Sequence, residues 1–90
     1  MRGLPVVKVT VFGTTNCAFC KVEKQWLDSK GVEYKYINID EDESAKAFLE
    51  ETLDIQAVPV TTIEKSEGTI THVIHGFDRK KLTEALGLDK

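Results

Sequence analysis

The sequence predicts an α/β domain of order β-α-β-α-β-β-α, and three observations carry that expectation. A β-branched run, "VVKVTVF" at 6–12, is followed at once by turn residues and then by a helical repeat. A second alternating run, "VEYKYINI" at 32–39, comes after a crossover long enough to make the two strands parallel. Two more β-rich runs, "PVTTIEK" and "GTITHVIHGF", are joined through Ser66, Glu67 and Gly68, which is hairpin spacing. A parallel unit, a hairpin and a closing helix together make a mixed sheet with helices on both faces.

The elements follow in order. Val6 to Phe12 is mostly apolar and suits a strand buried on both faces, and Gly13 closes it. Thr14, Thr15 and Asn16 supply turn and cap chemistry before a helix expected from Cys17 or Ala18 to Lys30. Phe19, Val22 and Trp26 recur at helical spacing, as do Cys20, Glu23 and Leu27, and Gly31 stands at the expected stop. In the second strand Val32, Tyr34 and Tyr36 share a face. "DESAKAFLEETLDI", 42–55, reads as a second helix, capped by Asp42 or Ser44, with Ala45, Phe48, Leu49 and Leu53 inward. Asp78 caps the last helix, whose stripe is Leu82, Ala85 and Leu86, with Gly87 after it.

Ninety residues make one domain, 1–90, with room for a single core. A chain 41% hydrophobic and 30% charged has a globular rather than a disordered balance. No apolar run approaches the ~20 residues needed to cross a bilayer. "MRGLPVVKVTVF" has no long apolar segment and no small-residue cleavage site, so the expected location is the cytosol. Thiols there are kept reduced, which favours a catalytic or metal-binding role for a lone cysteine pair over a static bridge. The net charge of −3 argues against a nucleic-acid partner, and "DRKK" at 78–81 opens a helix rather than forming a basic stripe. "DEDE" at 40–43 lacks the alternating ligands, turn glycine and closing Glu of a calcium loop. The expectation is a monomer without a membrane partner.

The chemistry rests on "NCAFC", which holds the only two cysteines, Cys17 and Cys20. Placed three apart at a helix start, they share a face and can meet. Unpaired N–H groups of the first turn stabilise a thiolate at Cys17, with Lys21 and Lys24 adding positive potential and Glu23 offsetting it. Cys20, one turn deeper beside Leu27, is expected to be less exposed. That asymmetry suits dithiol exchange, in which Cys17 attacks a disulfide and Cys20 resolves the mixed disulfide. A zinc set of Cys17, Cys20, His72 and His75 is the alternative. Against it, "TITHVIH" reads as a strand, where residues three apart point to opposite faces. An iron–sulfur cluster on Cys17, completed by glutathione, and a non-catalytic binding domain are the other possibilities. The statistics of X–Pro bonds leave Val58–Pro59 trans, and spacing makes Gly76 a plain turn.

The segments "TVFGTTNCAFCK", "LDSKGVEYKYINID", "AVPV" and "HGFDRKKLTEAL" resemble, in order and spacing, the glutaredoxin-like branch of the thioredoxin superfamily. The resemblance spans about Lys8 to Leu86 and is similar in detail to the small redoxins that feed electrons to ribonucleotide reductase. It implies the thioredoxin fold, a four-stranded mixed sheet, and a disulfide reductase or electron carrier with no tightly bound cofactor. Cys17 would be the nucleophile and Cys20 the resolving thiol. Val58–Pro59 would be a Val–cis-Pro pair against the disulfide, with the Val58 backbone pairing an extended substrate or glutathione. Thr15 and Phe19 would border the same site. Gly76, Phe77 and Asp78 would line its other wall, with N–H groups for a carboxylate. Electrons would come from glutathione, or from NADPH through thioredoxin reductase, and go to a disulfide-containing protein. Four positions depart from the family pattern: Thr14 replaces a frequent Lys, Ala18-Phe19 replaces Pro-Tyr, and Trp26 replaces a smaller apolar residue. The missing Lys tilts the expected donor toward thioredoxin reductase.

Overall fold

The computed structural model describes residues 7–55, 57–65 and 68–87. The expected order is present: β1 (Val7–Gly13), α1 (Ala18–Ser29), β2 (Lys35–Asn38), α2 (Glu43–Ala47), β3 (Val60–Lys65), β4 (Ile70–His75) and α3 (Arg79–Leu86). The four strands form one sheet in the order β2-β1-β3-β4. β1 pairs with β2 in parallel, whereas β3 runs antiparallel to both β1 and β4. Val6, Ser66 and Glu67 lie outside the described residues, so the tip of the hairpin does too. Gly68 at its exit has φ +92° and returns its N–H to Lys65 O at 2.9 Å.

Strand alternation sends two sets of side chains to two cores. Phe12 and Val60 pack with Ala45, Leu49 and Ile55 on the α2 face. Val9, Ile63 and Ile74 pack with Leu82 on the other, joined by Trp26, Tyr34, Phe77 and Ala85. Helices therefore cover both faces, with α1 and α3 on one and α2 on the other. The stripe of Cys20, Glu23 and Leu27 is the buried side of α1, while Phe19 and Val22 of the companion stripe stay exposed.

Two elements are shorter than the sequence suggests. β2 pairs with β1 only from Thr10↔Lys35 to Gly13↔Asn38, so Val32 to Tyr34 are outside the ladder. The Val32 N–H is drawn back to Leu27 O at 3.1 Å as the chain leaves α1, although Val32 and Tyr34 still pack on the core. The second helix is α-helical only through Ala47, and Phe48–Thr52 continues as a π-helical turn. Leu53 bonds to Phe48 O across five residues, and Asp54 then takes φ +59°. The wider turn brings the Ile55 N–H to Leu49 O at 2.8 Å, and both side chains stay in the core. Asp42 rather than Ser44 is the cap, accepting the Ala45 N–H at 3.0 Å.

α3 is held chiefly by Leu82, which is fully buried against β4. Leu82→Ala is expected to lower unfolding stability by about 2–5 kcal/mol, measured as a shift in the urea midpoint at constant slope.

Candidate redox site

One end of the sheet gathers the sequence-predicted site residues. Gly13 ends β1 opposite Asn38 of β2. On the other side Phe12 pairs with Val60, which sets Pro59 next to Gly13. Val60 also pairs with His75, and the Gly76 N–H reaches Pro59 O at 2.7 Å. Asn38, Gly13, Pro59 and Gly76 thus form a row at the end from which all three helices start. The Val58–Pro59 bond is cis, which corrects the trans expectation from X–Pro statistics and agrees with the family resemblance.

Cys17 is the N-cap of α1, with β-region backbone, and its sulfur accepts the Cys20 N–H at 3.1 Å. The same donor would stabilise a thiolate there when the pair is reduced. Cys17 and Cys20 are joined in a disulfide with Cα atoms 5.2 Å apart. Their exposure differs as expected: Cys17 is part-exposed, whereas Cys20 has 0% exposure. Cys20 sits deep because position 13 carries no side chain. A Cβ on Gly13 would come within 2.6 Å of Cys20 Sγ and would also collide with the Tyr36 hydroxyl.

The loop before Cys17 is tied down from β2. Asn38 Nδ2 donates to Thr15 Oγ1 at 2.9 Å, the Thr15 N–H donates to Asp40 Oδ2 at 3.1 Å, and the Tyr36 hydroxyl donates to Thr14 O at 3.2 Å. Phe19, between the cysteines, is 66% exposed. Phe77 packs edge-on against Trp26 with ring centroids 6.0 Å apart, so Trp26 braces the wall beyond Gly76. Asp78 accepts the Lys81 N–H at 3.1 Å, which makes it the cap of α3.

His72 and His75 are both exposed on β4, three apart and on opposite faces. Among the described residues no three His, Cys, Asp or Glu side chains converge as a metal set. No described helix is long and apolar enough to cross a membrane.

The feature that sequence reasoning undervalued is Glu23. It was expected as a charge tempering the lysines, yet its exposure is 0%. Thr61 of β3 donates its hydroxyl to Glu23 Oε2, while Oε1 has no partner among the described residues. Burial pushes the carboxyl up from its ordinary range, and the Thr61 bond only partly opposes this. The signal was present: Glu23 lies in one stripe with Cys20 and Leu27. Tyr36 is raised as well, first by burial, then by Asp40 and Glu23.

A family model described as glutaredoxin matches residues 9–66. The chain belongs to the glutaredoxin family. With its Cys17–Cys20 pair it is a glutaredoxin-like thiol–disulfide oxidoreductase. The glutaredoxin-like protein NrdH of Lactococcus lactis subsp. cremoris is 38% identical over 56 residues, covering 60% of this chain and 74% of that one. The Gene 56 protein of Mycobacterium phage D29 is 27% identical over 78 residues, or 87% and 81% of the two chains. Among solved structures, a glutaredoxin from Archaeoglobus fulgidus has TM-score 0.64 at 28% identity, covering 90% of this chain and 87% of that one. The NrdH-redoxin of Escherichia coli has TM-score 0.71 at 18% identity, over 86% and 92%, and shares the fold.

The raised carboxyl has a defined effect on stability. Glu23 titrates near 4.5 when unfolded and higher when folded, so the folded state binds the extra proton. Its contribution is complete below the unfolded value and is lost as pH rises through the folded one. Glu23→Gln should therefore match the wild-type melting temperature in acid and exceed it increasingly above pH 4.5, followed by calorimetry across pH.

Proposed function

We propose that the protein is a dithiol reductant of protein disulfides, with Cys17 as nucleophile and Cys20 as resolving thiol. The carrying observation is the asymmetry of the pair: Cys17 caps α1 within reach of a partner, and Cys20 lies fully buried behind it. The Cys17 thiolate attacks one sulfur of the substrate disulfide and expels the other as a thiolate. Cys20 then attacks Cys17, closes the intramolecular disulfide and releases the second substrate thiol. The substrate is an extended segment laid against the Val58 backbone and Pro59, flanked by Thr15 and Phe19 on one side and by Gly76, Phe77 and Asp78 on the other. The NrdH relatives support a ribonucleotide reductase of the class served by such redoxins as the disulfide substrate. The protein acts as a monomer of one domain, 1–90, in the reducing cytosol.

Thioredoxin reductase, drawing on NADPH, is the proposed electron source. Thr14 leaves the loop without the lysine that favours an anionic tripeptide, and Asp40 fixes that loop with a negative carboxylate at Thr15. No tightly bound cofactor is required, because the electrons are carried in the cysteine pair.

Cys17→Ser should abolish reduction of an insulin disulfide, and retained turnover would refute the assignment. Cys20→Ser should accumulate a mixed disulfide on Cys17, detectable by intact-mass measurement. Offered NADPH with thioredoxin reductase, or glutathione with its reductase, the oxidised protein should be reduced at least about tenfold faster by the first. The reverse order would transfer the donor role to glutathione.

A further inference from the structure

Beneath the disulfide lie two successive rows of the sheet on its α1 face. Tyr36 of β2, Val11 of β1, Thr61 of β3 and Ile74 of β4 stand in register across one row. Glu23 sits over this row, bonded to Thr61 and close enough to Tyr36 to raise its pKa. Two residues further along β1 is Gly13, and Cys20 Sγ occupies the space its missing Cβ leaves. Cys20 and Glu23 are thus neighbours on one helical face, about 4.5 Å apart in rise, above adjacent rows of the sheet. Both have 0% exposure, and Glu23 Oε1 has no partner among the described residues.

An isolated charge on that oxygen would be costly so far from water. Cys20 has the complementary difficulty, since each turn of exchange makes or consumes its thiolate in the same dry space. We propose that Glu23 is the internal proton acceptor and donor for Cys20. This assignment rests on Cys20 being the resolving thiol.

The cycle balances. In the oxidised protein Glu23 is a neutral acid. A donor thiolate attacks Cys17 Sγ, the Cys17–Cys20 bond breaks with its electron pair on Cys20 Sγ, and the Glu23 proton moves to that sulfur. A second donor thiol, giving its proton to water, then attacks the donor sulfur of the mixed disulfide, forms the donor's own disulfide and expels Cys17 as a thiolate. In the reduced protein the Glu23 carboxylate is steadied by the Thr61 hydroxyl. When Cys17 has captured a substrate, the Cys20 thiol returns its proton to Glu23. The Cys20 thiolate then attacks Cys17 Sγ, and the substrate thiolate departs to be protonated by water. The other titratable group in the Glu23 row is Tyr36, with Lys24 Nζ 4.1 Å above its ring. Val11 and Ile74 add no charge from β1 and β4, and α3 brings Leu82 to this face.

The test separates the two chemical steps by acid quench, alkylation and mass measurement against pH. Glu23→Gln keeps the shape and an acceptor for Thr61 but cannot exchange the proton. Resolution of the mixed disulfide is expected to slow at least about tenfold at neutral pH, within the range of general acid–base effects. Capture by Cys17, measured as Cys20→Ser against Cys20→Ser/Glu23→Gln, should stay within about twofold, because Glu23 serves the second step. In the wild type, resolution should level off above the Glu23 titration; in Glu23→Gln it should keep rising with the Cys20 thiolate fraction. Wild-type rate and profile in Glu23→Gln, or equal slowing of both steps, would overturn the assignment. Should Glu23→Gln not fold, Thr61→Val must move the level-off to higher pH, and an unmoved midpoint overturns it. A wild type that forms no mixed disulfide on Cys17 would instead overturn the underlying dithiol mechanism.

Discussion

The absence of a side chain at Gly13 is the constraint on which the site depends. At the end of β1 the Cys20 sulfur and the Tyr36 hydroxyl both occupy space that any Cβ would fill. That vacancy lets the first turn of α1 lie close against the sheet end, with Cys20 below and Cys17 at the cap. Without it, α1 would have to lift or the cysteine pair would have to turn outward. Either change would erase the difference in exposure between the two sulfurs.

The rest of the site is organised around that contact. The antiparallel register of β3 fixes Pro59 beside Gly13, and the Gly76–Pro59 hydrogen bond carries the alignment to the start of α3. β2 reaches in from the other side through Asn38, Asp40 and Tyr36, pinning the Thr14–Thr15 loop. Exchange chemistry needs one sulfur available to a partner and the other held in reserve. Here the helix cap supplies the first condition and the packed sheet the second.

Glu23 adds a tension to this arrangement. A carboxylic acid in the buried stripe of α1 lowers stability as pH rises, and an alanine or leucine there would pack without that penalty. The cost falls beside the buried cysteine, whose sulfur, in the proposed cycle, loses a proton as the thiol and regains it as the thiolate in the same dry space. Stability and chemistry therefore meet in a single side chain, one helical turn beyond Cys20.

By itself the sequence settled the order of elements, the cap at Asp78 and the inward stripe of α3, while it left two candidates each for the start of α1, the cap of α2 and the buried stripe of α1. The settled features follow from local rules, because helical spacing, β-branched runs and cap residues act over a few positions. It also separated His72 from His75, since strand alternation alone sends them to opposite faces. The length of β2 and the π-helical turn at Phe48–Thr52 emerged with the tertiary fold, which also decided between the trans bond that X–Pro statistics favour at Pro59 and the cis bond that the family resemblance implies. The first two depend on which backbone partners the neighbouring elements offer, and residue spacing leaves the isomer of a proline bond open. It also decided the fate of Glu23. A charged residue within a helical stripe reads as solvated until a facing hydroxyl, Thr61 from a strand 38 residues away, shows that it is enclosed.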